Sequence, residues 1–69
     1  MNSLLWQYIQ YKERIKEEII EFLLQNQSPY AYYQIENYVN GCNLDDLDEE
    51  DWDYINEEIE KRGGIAYTE

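Results

Sequence analysis

The run Asn43-Leu-Asp-Asp-Leu-Asp-Glu-Glu-Asp-Trp-Asp-Tyr-Ile-Asn-Glu-Glu58 holds nine acids in sixteen positions and no base. Its apolar residues Leu44, Leu47, Trp52 and Ile55 recur at intervals of three to five. A disordered acidic tail would lack those anchors. The pattern predicts a folded surface that presents dense negative charge in a fixed geometry. Such a surface is repelled by nucleic acid and membrane phosphates, and is drawn to the basic grooves that hold them.

The fold around that run must be small. Sixty-nine residues make one domain, 1–69, with a limited core, although 43% apolar and 16% aromatic residues are enough to fold it. Cys42 is the single cysteine, so no internal disulfide can staple the chain. No histidine is present, and a lone thiol cannot build a zinc site. Neither a metal nor an organic cofactor is expected. This cysteine usage suits a reducing cytoplasm. The start, Met-Asn-Ser-Leu-Leu-Trp, is apolar for only three residues before Gln7, too short for a secretory core or a membrane span. The expectation is a soluble cytoplasmic protein of a bacterium, or of a host cell if phage-encoded.

Charge is unevenly spread. The net value is −11, and residues 27–69 hold Lys61 and Arg62 against twelve acids. Solubility is the ordinary explanation of an acidic helix, but the density here is unusual. At a helical rise of about 1.5 Å per residue, ten acids between Asp45 and Glu60 would average one per roughly 2–2.5 Å. Duplex DNA carries one charge per about 1.7 Å of axis.

Helical periodicity dominates the chain. Ser3 is positioned as the N-cap of a first helix running to about Leu24. Leu5, Tyr8, Ile9, Lys12, Ile15, Ile19, Phe22 and Leu23 share one face, with Lys12 the only polar member. Trp6, Tyr11, Ile20 and Leu24 widen the apolar surface beyond the needs of one packing partner, which suggests a second contact near Leu4 to Tyr11. Gln25-Asn-Gln-Ser-Pro29 ends this helix, because the residue before a proline disfavours the helical region. A short second helix is expected over roughly Ala31 to Tyr38, with Tyr32, Ile35 and Val39 inward and Asn40-Gly41 as its stop. Cys42 to Leu47 reads as a loop, and a third helix begins near Asp48 with Trp52, Ile55 and Ile59 inward. Gly63-Gly64 releases an extended tail, Ile65-Ala-Tyr67. The expected fold is all-α: a compact three-helix domain, helix-turn-helix-like, with a short extended C-terminal tail.

Chemistry is harder to find. The carboxylates lack a companion nucleophile, base or glycine-rich phosphate cradle, so no catalytic activity is expected. Asp46-Leu-Asp48-Glu-Glu50-Asp lacks the glycine that a calcium loop needs at its sixth position. Cys42 sits before an acidic loop, which raises a thiol's pKa and makes it passive. Tyr30, Tyr32, Tyr33 and Tyr38 have no nearby arginine or lysine to hold a nucleic-acid backbone, so they fit a protein interface better than base stacking. Direct DNA binding fails as well, because a third helix carrying Asp51, Asp53, Glu57 and Glu58 would meet phosphates with like charge.

From Ile15 onward the chain resembles the N-terminal autoinhibitory domain, region 1.1, of bacterial primary sigma factors. Tyr30-Ala-Tyr32-Tyr33-Gln34-Ile35 stands for the entry to the family's second helix, and Asn43 to Asp51 for its acidic loop. Trp52, Ile55 and Ile59 stand for the core of its third helix, and Gly64-Ile65-Ala66-Tyr67 for its tail. The resemblance implies an acidic helical domain that occupies the DNA channel of RNA polymerase. Two departures stand out. No sigma regions follow Glu69 to tether it, and Leu4-Leu5-Trp6 has no counterpart in the family pattern. That start, or the tyrosine cluster, would then supply a binding surface. More loosely, the chain looks like small phage-encoded inhibitors that mimic DNA.

The functional expectation is a DNA-mimicking protein that binds a basic nucleic-acid channel, first that of RNA polymerase, and regulates or inhibits it. A CRISPR, restriction or repair nuclease is the alternative target. A helical adaptor or homodimer using the apolar N-terminal face is the alternative of a different class. The candidate contact residues are Asp45, Asp46, Asp48, Glu49, Glu50, Asp51, Asp53, Glu57 and Glu58, with Tyr30 and Tyr33 as anchors.

Overall fold

The computed structural model describes residues 3–66. Helix α1 spans Leu4–Gln25, a 3-10 helix covers Pro29–Gln34, α2 is the single turn Ile35–Tyr38, a second 3-10 turn covers Leu44–Asp46, and α3 spans Glu49–Lys61. No strand occurs among the described residues. The domain is all-α, as its periodicity predicts. The core is built from three rows of side chains, each at i, i+4, i+8. Ile15, Ile19 and Leu23 come from α1, Ala31, Ile35 and Val39 from the middle segment, and Ile55 and Ile59 from α3. In the third row the first place, Asp51, is a charge.

Six isoleucines, Ile15, Ile19, Ile20, Ile35, Ile55 and Ile59, are buried almost completely. Isoleucine is stiff at χ1 in a helix and loses little rotamer freedom on packing. Each such burial stabilises the fold by about 2 kcal/mol. The partly buried rings of Tyr11, Phe22, Tyr32 and Trp52 close the sides of this core.

Local chemistry sets the boundaries. Ser3 caps α1 by accepting the Trp6 amide at 3.0 Å. At the other end the Asn26 amide donates to the Phe22 carbonyl. Ser28 then caps the next segment by accepting the Tyr30 amide, with Pro29 following in the first turn. The middle segment differs from the expected α-helix over Ala31 to Tyr38. Its first six residues coil as a tighter 3-10 helix, because the Ala31 amide reaches the Ser28 carbonyl three residues back. The expected loop over Cys42 to Leu47 also holds a turn, fixed where the Asn43 side chain accepts the Asp45 amide.

Helix α3 starts at a capping box, in which the Asp48 carboxylate accepts the Asp51 amide at 3.0 Å and the Asp51 carboxylate accepts the Asp48 amide at 3.1 Å. Its C-terminus is a Schellman motif. The Gly63 amide donates to the Glu60 carbonyl and the Gly64 amide to the Ile59 carbonyl. Gly63 takes a positive φ of 88°, where a side chain would be strained. Gly64 lies so close to Leu24 and Ile59 that an added Cβ would come within 2.6 Å of the Leu24 side chain. The expected tail follows the core through Ala66, while Tyr67 lies outside the described residues.

The first two turns of α1 depart from expectation. Leu5, Tyr8 and Ile9 were expected on the inward face, yet they are exposed together with Leu4 and Trp6. They do lie on the inward-facing stripe, and the Tyr8 hydroxyl reaches the Asp46 carbonyl at 3.5 Å, yet all stay open to solvent.

Candidate functional site

The acids divide by the elements that carry them. Glu49, Glu50, Asp53, Glu57 and Glu60 are all exposed. On a 3.6-residue helix, positions 49, 53, 57 and 60 fall on the side opposite Ile55 and Ile59, with 50 beside them. The capping box at Asp48 and the Schellman turn at Gly63-Gly64 fix both ends of the helix that displays them. Asp45 is exposed on the preceding 3-10 turn, and Asp48 keeps most of its side chain in solvent while it caps. The five on α3 form one negative edge, and Asp45 and Asp48, the latter 4.0 Å from Lys12, precede it.

Three of the expected contact residues have structural partners instead. Asp51 is 7% exposed and faces α1, with its carboxylate 2.6 Å from Lys12 Nζ and 3.5 Å from Lys16 Nζ. Burial pushes the Asp51 carboxyl up, but the Lys12 hydrogen bond, the Asp48 amide and the nearby Lys16 charge overcome it and hold it below the usual range. Lys12 is correspondingly raised, chiefly by its hydrogen bond to Asp51, against the opposing effect of its own burial. Asp46 is half-buried, with Oδ2 3.1 Å from the Tyr11 hydroxyl that donates to it. Glu58 accepts hydrogen bonds from Lys61 and Arg62, each at 3.2 Å, and Arg62 also reaches Glu17 at 2.8 and 3.2 Å. Lys61 first, then Arg62, hold the Glu58 carboxyl below its ordinary value. Asp51 therefore departs from the expected array: it ties α1 to α3 and presents no charge outward.

Glu60 joins the edge although it was absent from the candidate contacts. Its place at the end of the series 49, 53, 57, 60 is the signal that could have found it.

The tyrosines lie apart from this helix in sequence and partly apart in role. Tyr30 and Tyr33 are both exposed. Tyr30 lines a shallow cavity of about 610 Å³ with Phe22, Gln25, Ala31, Gln34 and Tyr38, and no charged side chain borders it. Phe22 and Tyr38 stack there with ring centroids 5.6 Å apart. Tyr32 instead turns inward against Trp52.

Cys42 is half-buried. Burial first, and then the fields of Glu36 and Asp46, push its thiol up. A protonated thiol is a poor nucleophile. Among the described residues no group of three or more His, Cys, Asp or Glu is arranged to hold a metal ion. No described helix is long and apolar enough to cross a membrane. No family model matches the chain, and no curated protein or solved structure matches it.

Proposed function

We propose that this chain is a non-enzymatic acidic protein that enters the basic groove of a nucleic-acid enzyme in place of a phosphate backbone, and regulates or inhibits that enzyme. The observation that carries this reading is the outer face of α3, where Glu49, Glu50, Asp53, Glu57 and Glu60 are exposed together. At about 1.5 Å of rise per residue, they average one charge per roughly 3.5–4 Å. That spacing is close to the ~3.4 Å per phosphate of one DNA strand. The withdrawal of Asp51, Asp46 and Glu58 into internal contacts is what shifts the match from a duplex to a single strand.

The arrangement also runs against the helix's own interest. Glu49, Asp53 and Glu57 are like charges at i, i+4, each pair destabilising by about 0.2–0.5 kcal/mol. Asp53, Glu57 and Glu60 lie beyond the first turn, outside the reach of the favourable dipole end. Solubility alone would be served by acids placed anywhere on the surface. A single-sided row on a doubly capped helix serves a partner. Exposed Tyr30 and Tyr33 would add apolar anchoring.

Bacterial RNA polymerase is the first target, because the chain resembles sigma region 1.1 in its pattern. A CRISPR, restriction or repair nuclease offers the same groove chemistry and comes second. The test is competition. Labelled DNA bound to RNA polymerase is titrated with the protein at 50 and 300 mM salt, and anisotropy reports release. The reading expects release at low salt that weakens at high salt. The variant Glu49→Gln/Glu50→Gln/Asp53→Asn/Glu57→Gln should release DNA at least ~30-fold less effectively, about 2 kcal/mol, from four rim charges worth roughly 0.5 kcal/mol each. DNA that stays bound at saturating protein removes the polymerase as target. Release that ignores the four substitutions removes the mechanism.

A further inference from the structure

The first two turns of α1 form a second surface, of opposite character to α3. Leu4, Leu5, Trp6, Tyr8 and Ile9 are 83%, 67%, 51%, 43% and 44% exposed. Leu4, Leu5, Tyr8 and Ile9 continue the stripe that Ile15, Ile19 and Leu23 bury further along, and Trp6 flanks it. At about 200 Å² per large side chain, the exposed part is roughly 500 Å². That is near the upper end for the largest apolar patch of a monomer. The Ser3 cap holds the segment helical up to its first residue.

We propose that Leu4–Tyr11 pairs antiparallel with the same segment of a second copy, giving a symmetric dimer. Charge selects that occupant. No acidic or basic side chain occurs from Met1 to Tyr11, in a chain whose net charge is −11. The segment's own side chains are uncharged, and Asp46, which borders it, has its carboxylate engaged by the Tyr11 hydroxyl at 3.1 Å. A parallel pairing would align Glu13, Glu17, Glu18 and Glu21 with their own copies. An antiparallel pairing avoids this and is self-complementary, as a two-fold interface requires. Overlap of eight residues, about 12 Å at the helical rise, sends the two acidic α3 helices to opposite ends.

A lipid surface fits less well. Amphipathic membrane helices flank their apolar face with free cations. Here the nearest ones are engaged: Lys12 with Asp51, Arg14 with Glu18, and Lys16 with Glu13 and Asp51. Two patches together bury roughly 1,000 Å², the low end for a specific interface, so the dimer is a weak one in the micromolar range. The pairing is independent of what α3 binds.

Sedimentation velocity of the full chain from 5 to 200 µM, in 50 and 500 mM NaCl, tests it. The dimer fraction should rise with concentration and also with salt, because salt screens the repulsion between two −11 chains. Groove binding by α3 has the opposite salt dependence, so the two surfaces are distinguishable. Leu5→Glu and Ile9→Glu should each weaken the dimer at least tenfold, and Leu5→Ala by less. All three should keep the far-UV circular dichroism and thermal midpoint, since these side chains already face solvent. Asp53→Asn/Glu57→Gln should leave the dimer intact. A monomer at 200 µM in both salts overturns the proposal. So does a dimer that withstands both glutamate substitutions.

Discussion

Substituting Asp51→Asn tests how the acidic helix is held. The change keeps the shape of the side chain and an oxygen for the Asp48 amide, but removes the charge that faces Lys12 at 2.6 Å and Lys16 at 3.5 Å. Breaking a fully buried pair costs about 3–5 kcal/mol, because an uncompensated charge is left behind. The lysine side chains keep 18% and 14% of their exposure, and each has a second carboxylate, Asp48 at 4.0 Å or Glu13 at 3.5 Å. Solvent and those partners screen the loss, which brings the expected cost to about 2 kcal/mol. For a domain of this size, that lowers the thermal midpoint by roughly 8–16 °C. The pH dependence follows from the direction of the shift. Asp51 is held below the usual carboxylate value, so its contribution is fully present above the unfolded value of about 3.9 and is lost as pH falls through the folded one. Urea unfolding at pH 7 and at pH 2.5 measures this. Wild type and variant should differ by about 2 kcal/mol at pH 7 and converge on acidification. Adding Lys12→Met should recover part of the loss. A difference under 0.5 kcal/mol at pH 7, or one of equal size at both pH values, would refute Asp51 as the charged tie between α1 and α3.

Other expectations are simpler. Ile55→Ala removes most of a fully buried side chain and should cost about 2–5 kcal/mol by urea unfolding, enough to threaten folding in a domain this small. Gly64→Ala forces a Cβ to 2.6 Å from Leu24 and 3.0 Å from Ile59, and should cost about 1–3 kcal/mol by the same assay. Tyr11→Phe deletes the hydroxyl that lies 3.1 Å from both Asp46 Oδ2 and the Gly41 carbonyl, and should cost about 0.5–1.5 kcal/mol. Cys42 should be alkylated by iodoacetamide at pH 7.4 well below the rate of a free thiol, since burial and acids keep it protonated.

The helix ends were legible because each is written in local chemistry. Ser3, Asp48 and Gly63-Gly64 act on backbone groups within a few residues, and the observed boundaries of α1 and α3 fall within about one residue of those expected. The middle segment was less legible. Tyrosine and asparagine give weak helix preference, and the Ser28 cap winds the chain into a 3-10 coil that periodicity does not separate from an α-helix. Which acids remain free was hidden for a different reason. Lys12 and Asp51, or Tyr11 and Asp46, are more than thirty residues apart, and only packing brings them together. A clue was present. Lys12 interrupts an apolar stripe, and Asp51 sits four residues before Ile55 in another, so each odd residue supplies the other's partner. The exposure of Leu5, Tyr8 and Ile9 had no local signal, since periodicity says which way a side chain points but not whether anything lies there.

The central claim is that the placement of carboxylates on α3, not total charge, is what a phosphate-binding groove recognises. Two double variants of equal net charge isolate it: Asp53→Asn/Glu57→Gln on α3 and Glu13→Gln/Glu21→Gln on α1, where all four side chains are exposed. Their affinities for RNA polymerase are measured by DNA competition at 100 mM salt. The α3 pair should lose about fivefold, the equivalent of ~1 kcal/mol at roughly 0.5 kcal/mol per rim charge, and the α1 pair less than about twofold. Equal losses from the two pairs would show that bulk charge alone is read, and would contradict the account.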